Sequence, residues 1–396
     1  MSLPNGLLRL LALFGLLNYS HFKVDLVMNK KAIFFLGTAL SLIASSAHAA
    51  YDLNLKTPVT EIATQIFDLH MLIVWVCLAI FVLVFAVMFY SLYKHRKSVG
   101  HKAAQFHEHH TLEIVWTIIP ALILIVMAVP ATKTIFAMKD TSEADMTVKV
   151  TGYQWKWEYD YLDKNVKFIS NLSTTQDQIE NKAEKGEHYL LEVDNPMVVP
   201  VGKKVRVVLT ASDVIHAWWV PEFGVKQDAI PGFIKEVWFK AEKEGTYRGQ
   251  CAELCGKNHG YMPIVVEVVS EEKYNTWLTA KAEAAAAGAA GADKEWTKDD
   301  LVANGKTVYE KNCAVCHQAT GAGLPPAFPA ITGGKISTGP IEGHLDIVLN
   351  GKNVMPAWKA LLNDVEIASV IAYERNALGN SVGDIIQPSA VKAARK

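Results

Sequence analysis

The run QCAELCGKNHGYMP gathers Cys251, Glu253, Cys255, His259 and Met262, and His216 lies upstream in SDVIHAWWVP. Two thiols, two imidazoles and a thioether are soft and borderline donors, a set that suits copper better than magnesium or calcium. The Cys-x3-Cys spacing lets both sulfurs lie in one turn and face the same metal pair. Two other readings use fewer of these residues. A Cys251–Cys255 disulfide leaves both histidines unexplained, and a Cys/His zinc site leaves Met262 unexplained.

A second constellation, KNCAVCHQATG, carries Cys313, Cys316 and His317. Cys-x-x-Cys-His is the attachment signal of c-type haem: each thiol bonds one vinyl group, and the adjacent His is then placed to bind the iron. Zinc knuckles and redox dithiols share parts of the pattern. A second axial ligand is required, and Met355, in GKNVMPAW, is the only methionine after the attachment signal. A Met/His pair raises the haem potential. His344 is the fallback ligand. The plainer reading of Met355 is a core filler, although a Met-Pro step in a Gly/Asn loop is a poor core position. Of five cysteines, two go to each constellation. The fifth, Cys77, lies in an apolar run and reads as a small buried hydrophobe, so no pair remains for a structural disulfide.

The elements that must hold these groups follow from patterning. A chain of 396 residues has room for two or three domains, and a net charge of −1 gives no reason to expect a nucleic-acid partner. Residues 28–49 read as a signal peptide: a basic start, a short apolar stretch, then Ala47-His48-Ala49, with cleavage after Ala49. Residues 1–27 form an upstream extension, and Met28 reads as the start. Within 50–144, apolar runs at 66–90 and 112–137 form a transmembrane hairpin; each is long enough to cross the roughly 30 Å hydrocarbon layer. The loop between them carries Lys94, Arg96, Lys97 and Lys102, which places it in the cytoplasm and both outer ends in the periplasm. Glu113 suits the first turn of the second helix, with Thr111 as its candidate cap. His107, His109 and His110 read as a solvated loop meeting a partner.

Over residues 145–272, segments such as VKVTGYQWKWEYDY and MPIVVEVVS alternate apolar and polar, which predicts short antiparallel strands in a sandwich or Greek-key barrel. Residues 273–296 are an Ala-rich linker, expected to be a partly helical, flexible tether. Residues 297–380 read as all-α, opening with a helix capped at Thr297, and 381–396 as a loosely ordered tail.

The first constellation resembles the binuclear CuA site of cytochrome c oxidase subunit II, with all six positions present. By that likeness Cys251 and Cys255 bridge two coppers, His216 and His259 ligate one each, and Met262 and the Glu253 carbonyl are weak axial ligands. The Glu253 carboxylate would reach a magnesium shared with subunit I, and Asp213 would hydrogen-bond near a copper ligand. GYQWKWEYDY resembles the family segment GHQWYW, which makes Trp155 the surface aromatic through which electrons enter; a strand Trp half buried beside Tyr153 and Trp157 is the plainer reading. Glu158 and Asp160 resemble a docking surface for a basic cytochrome, though charged strand edges are common. LEIVWTIIPA resembles ETIWTILPA, which puts Glu113 at the mouth of a proton-uptake pathway. Residues 299–379 resemble a cytochrome c, and in GLPPAFPAITG the Pro326 carbonyl would accept a hydrogen bond from His317. The implied architecture is a multidomain membrane protein: an N-terminal two-helix transmembrane hairpin, an all-β cupredoxin-like Greek-key domain and a C-terminal all-α class I cytochrome c domain.

The same likeness implies the subunit through which electrons enter a terminal respiratory cytochrome c oxidase. Electrons from cytochrome c or another periplasmic donor would pass to the c-type haem, to CuA, and on to the oxygen-reducing centre of subunit I, coupled to proton translocation. Subunit I, subunit III and membrane lipid are the implied partners. The implied location is a bacterial inner membrane, with both redox domains on the periplasmic side. A CuA subunit of a nitric oxide reductase and a free-standing membrane-anchored electron carrier are the alternatives. Glu113 and Glu253, with family roles at a subunit interface, argue against the second.

Overall fold

The computed structural model describes residues 54–395, apart from 101, 103, 104 and 165. The signal peptide and the upstream extension lie outside the described residues. Two long helices come first, α1 (Glu61–Lys94) and α2 (His110–Lys139). Both exceed the apolar runs that predict them, because polar turns at each end continue the same hydrogen-bond ladder. The two helices are long and apolar enough to cross a membrane. Their outward residues, among them Leu83, Phe89, Trp116 and Val126, are exposed, as expected of a helix that is apolar all round and faces lipid. Cys77 shares this exposure and is not the buried hydrophobe expected, since α1 packs little of its length within this chain. His109, not Thr111, caps α2: its Nδ1 accepts the Leu112 N–H at 3.3 Å, and Thr111 already lies inside the first turn. Thr60 caps α1 by accepting the Ala63 N–H at 3.0 Å, and its hydroxyl donates to the Phe223 carbonyl at 2.9 Å. That pair ties the first helix to the domain that follows.

The β domain comprises β1 (Met146–Tyr153), β2 (Lys156–Tyr161), β3 (Val166–Ser170), a short α3 (Gln176–Ile179), β4 (Met197–Pro200), β5 (Lys204–Ala211), β6 (His216–Val220), β7 (Val225–Ala229), β8 (Lys235–Lys240), β9 (Gly245–Cys251) and β10 (Pro263–Val269). They form two five-stranded sheets, in the orders β3-β2-β1-β5-β8 and β4-β10-β9-β6-β7. Alternation drives the packing: in β5, KVRVVLTA, every second residue is buried. Trp157, Tyr159, Tyr161, Trp218 and Phe239 fill the space between the sheets. The strands are not all antiparallel, as alternation had suggested. β1 pairs with β5, and β4 with β10, in parallel. Each of these partners is reached by a long connection and not by a hairpin, so it returns in the same direction.

The Ala-rich segment is one helix, α4 (Glu271–Gly291), capped by Ser270. Alanine is the best helix former, and both ends of the helix are packed. Tyr274 is buried in the β-domain core, with Trp277 packed against the same core. At the other end the Gly291 Cα lies against Val365, where an added Cβ would stand 3.1 Å from its methyl. The expected flexible tether is therefore a strut. The last domain holds α5 (Lys298–Asn312), α6 (Ala314–His317), α7 (Ile341–Asn350), α8 (Asp364–Asn376) and α9 (Pro388–Ala394). Thr297 caps α5 as expected, accepting the Asp300 N–H at 3.2 Å. α5 and α8 cross at Gly305, where a Cβ would stand 1.9 Å from the Ser369 carbonyl oxygen; only glycine allows this approach. The final residues are folded, not loose: Val391 is fully buried and Arg395 bonds Asp364 at 2.7 Å.

Candidate metal centre and haem site

The rigid sheet delivers three of the metal-type donors. His216 opens β6, Cys251 closes β9, and Met262 immediately precedes β10. Cys255 and His259 sit on the loop between β9 and β10. Four donors converge around two free thiols 3.8 Å apart. Cys251 Sγ has His216 Nδ1 at 3.9 Å and the Glu253 carbonyl oxygen at 3.4 Å. Cys255 Sγ has His259 Nδ1 at 3.5 Å and Met262 Sδ at 3.5 Å. Each sulfur thus has one imidazole nitrogen and one weak donor, an arrangement with near two-fold balance that neither a disulfide nor a single zinc ion would use. His216, Cys251, Cys255 and Met262 are buried, whereas Glu253 is exposed. The carbonyl of Glu253 faces the sulfur while its carboxylate is left to solvent or a partner.

A supporting set of hydrogen bonds fixes the donors. Asp213 Oδ1 lies 2.9 Å from His216 Nε2, and its Oδ2 accepts the Gln154 N–H at 2.7 Å. With Nε2 donating to a carboxylate, Nδ1 is left as the lone-pair nitrogen facing Cys251. The Cys255 carbonyl accepts from Gln154 Nε2 at 2.7 Å and from the Trp155 indole at 3.3 Å. The Met262 carbonyl accepts from the Trp157 indole at 3.2 Å. Burial disfavours the His216 imidazolium, but the bonds to Asp213 and Cys251 outweigh it and shift its pKa upward. The hydrogen bond between the sulfurs pulls Cys251 below the ordinary thiol range and pushes Cys255 above it. Metal binding at the pair must displace thiol protons.

Trp155 is not a surface aromatic here: it is buried at 6% exposure, part of the β-domain core. Glu158 does not form a docking surface either. It is buried on the face of β2 opposite Trp157 and Tyr159, where it pairs with Lys167 at 3.2 Å and accepts from the Tyr153 hydroxyl at 3.5 Å. Burial raises its pKa against the pull of Lys167. Asp160 is half-buried. Glu113 lies in the first turn of α2, where Oε1 accepts the His109 N–H at 3.4 Å, an N-terminal cap arrangement.

In the last domain α6 brings Cys313, Cys316 and His317 together through a turn closed by Cys316 N–H and His317 N–H on the Cys313 carbonyl, at 3.1 and 3.0 Å. Both thiols are held above their ordinary range, chiefly by burial. His317 Nδ1 bonds the carbonyl of Pro329 at 2.8 Å. This corrects the expectation of Pro326: the bond comes from the same proline-rich loop, three residues further on. It leaves His317 Nε2 free for an axial bond. Met355 lies in a turn closed by Lys352 and packs with Cys313 against the domain core. His344 is buried and engaged, with Nε2 2.8 Å from Glu374. That bond engages Nε2 only; Nδ1 has no hydrogen-bond partner. Gln154 and Pro329 carry roles that sequence reasoning missed; the first is signalled only by its place beside Trp155.

Three family descriptions match the chain. The transmembrane domain of cytochrome c oxidase subunit II matches residues 48–134 and its periplasmic domain residues 146–269. The third, cytochrome c oxidase, cbb3-type, subunit III, matches residues 300–373. The chain is 39% identical over 266 residues to cytochrome c oxidase subunit 2 of Cereibacter sphaeroides, which covers 61% of this chain and 88% of that one. It is 36% identical over 261 residues to the probable cytochrome c oxidase subunit 2 of Rickettsia bellii, covering 65% and 96%. Among solved structures, the periplasmic domain of subunit II of cytochrome oxidase from Bradyrhizobium japonicum is 46% identical, with 36% of this chain and 97% of that chain covered at a TM-score of 0.33.

Proposed function

Because the chain belongs to the cytochrome c oxidase subunit II family, we propose that it is the subunit through which a terminal respiratory oxidase takes up electrons from a periplasmic donor. The single observation that carries this reading at the residue level is the convergence of His216, Cys251, Cys255, His259, Met262 and the Glu253 carbonyl on one pair of sulfurs. When bound, CuA held by those residues and a c-type haem held by Cys313, Cys316, His317 and Met355 supply one-electron redox chemistry.

This chain's residues provide the fixed surroundings. Asp213 sets the tautomer and orientation of His216. Gln154 and Trp155 clamp the Cys255 carbonyl, and Trp157 clamps that of Met262, so the ligand loop is anchored at both ends. A loop held this way changes little when charge at the site changes, which keeps the reorganisation energy low. Pro329 orients the His317 ring by accepting its Nδ1–H. The exposed Glu253 carboxylate is suited to a hard cation such as magnesium at the contact with subunit I. The domain boundaries expected above, a bacterial inner membrane with both redox domains in the periplasm, subunits I and III and a cytochrome c-type donor complete the reading. Glu113, capping α2 at its cytoplasmic end, is the candidate for proton uptake, and Trp155 for electron transfer at Cys255.

The test is purification from membranes followed by metal and haem analysis. The expected composition is two coppers and one covalently bound haem per chain, with a polytopic partner; Cys255→Ser abolishes the copper and leaves the haem. Zinc in place of copper would overturn the assignment.

A further inference from the structure

A cation lies buried where the two redox domains meet. Lys156 is only 3% exposed, unusual for a lysine. It opens β2, directly after the Gln154–Trp155 hairpin tip whose two side chains bond the Cys255 carbonyl. Its ammonium stands 4.0 Å from the centre of the Trp358 ring, in the haem-type domain three residues after Met355. The same charge acts on Cys313 and Cys316. Asp194 and Asp213 face it with opposite charge from the β-domain side. Around this contact Cys316 and Phe328 pack against the β-domain core, Ile169 packs against the haem-domain core, and Lys311 pairs with Asp194 at 3.6 Å.

We propose that Lys156 is the positioning residue that docks the haem-binding domain on the copper-site domain. Its ammonium, seated on the Trp358 face beside the two haem-attachment cysteines, holds that face against the hairpin tip that touches Cys255. A buried ammonium needs partners in place of its water, and among aromatic side chains the face of a tryptophan ring is the strongest. The attraction is greatest along the ring normal, so it fixes register as well as contact. A neutral side chain of the same length would keep the apolar contact and lose the register. Electron tunnelling falls steeply with distance, so the register matters more to the transfer rate than the docking affinity does. The proposal rests on the cofactor assignment of Proposed function, and the test separates the two.

The experiment uses the full oxidase complex. Amine-reactive labelling with mass spectrometry compares Lys156 with Lys273, whose side chain is 70% exposed. Lys156 is expected to label at least about tenfold more slowly, since reagent reaches it only when the domains open. Flash-initiated electron transfer between the haem and copper sites is then measured in Lys156→Met and Lys156→Arg. The Met variant is expected to transfer about tenfold more slowly, the order of one desolvated cation–π contact, with unchanged haem absorbance and copper paramagnetic spectrum. The Arg variant keeps a cation over the ring and stays within about threefold. Labelling of Lys156 as fast as Lys273, or wild-type transfer in the Met variant, overturns the proposal. If the Met variant loses a cofactor, the wild-type labelling and the Arg variant still decide it. Absence of copper or haem from the wild-type complex would instead overturn the cofactor assignment and leave the labelling result standing.

Discussion

Asp213→Asn is the sharpest probe of how the metal site is held. Asp213 accepts on both oxygens. Oδ1 takes His216 Nε2–H at 2.9 Å and the Val214 N–H at 2.7 Å, and Oδ2 takes the Gln154 N–H at 2.7 Å. Asparagine can accept on one side only; on the other its amide N–H2 meets a second donor. Either His216 or Gln154 therefore loses its partner in a site where His216 is fully buried. Losing one hydrogen bond to a charged acceptor costs about 1.5–3 kcal/mol, which corresponds to a roughly 10- to 100-fold loss in copper affinity. The same range is typical for removing the partner behind a metal-bound histidine. Copper affinity measured by chelator competition on the full complex, with the midpoint potential of the copper site read in parallel, tests this. The weakened variant should shift its potential, because His216 becomes a poorer donor. Wild-type affinity together with wild-type potential in Asp213→Asn would refute the claim that this carboxylate orients the ligand.

Three further outcomes follow from the geometry. Met355→Ala should abolish the low-spin Met/His haem spectrum, whereas His344→Leu should keep that spectrum and lower haem-domain stability by about 3 kcal/mol, since Glu374 would be left buried without its partner; absorbance and thermal melting separate the two. Gly305→Ala forces a methyl into the Ser369 carbonyl at 1.9 Å and should destabilise the same domain by about 1–3 kcal/mol or more, read as a lowered Tm. The Arg375 hydrogen bonds hold the Asp384 carboxyl below the ordinary carboxylate range. Its contribution is complete above that range and is lost as pH falls through the depressed folded value, so haem-domain Tm should drop on acidification below about pH 4 and Asp384→Asn should flatten that limb.

The chemistry of the site was legible because both constellations are short in sequence: four of the five side-chain donors at the metal centre come from the run QCAELCGKNHGYMP, and three haem-type residues from one turn. The remaining donor, His216, lies on a neighbouring strand, and only the full pattern connects it. What escaped the sequence depends on the trace of the chain. Pro325, Pro326 and Pro329 share one loop, and which carbonyl meets His317 is decided by how that loop turns. Glu158 looks solvent-facing in an alternating strand, and it does lie opposite the core face, but side chains of the neighbouring strands, Lys167 and Tyr153, pack against it there. Cys77 lies in an apolar run whose helix is exposed along its length, so apolar neighbours in sequence do not signal burial within the chain. Val391 lies in a short Ala-containing run, PSAVKAARK, only two turns long, too short for its periodicity to signal that α9 closes over α8.

The ordered connection between the redox domains changes how electron transfer between them should be understood. A flexible tether would raise the effective concentration of the haem donor to the millimolar range, and each transfer would still require a search for the productive pose. Here α4, at 21 residues, spans about 31 Å as a strut anchored at both ends by Tyr274 and Gly291. Lys156–Trp358 and Lys311–Asp194 add contacts at the face itself. The orientational freedom otherwise lost at every encounter has already been lost on folding. The Trp155 indole is buried in the β-domain core and bonded to the Cys255 carbonyl, so on the proposed reading transfer from the haem domain to the copper site is an internal step whose rate the docking contacts set.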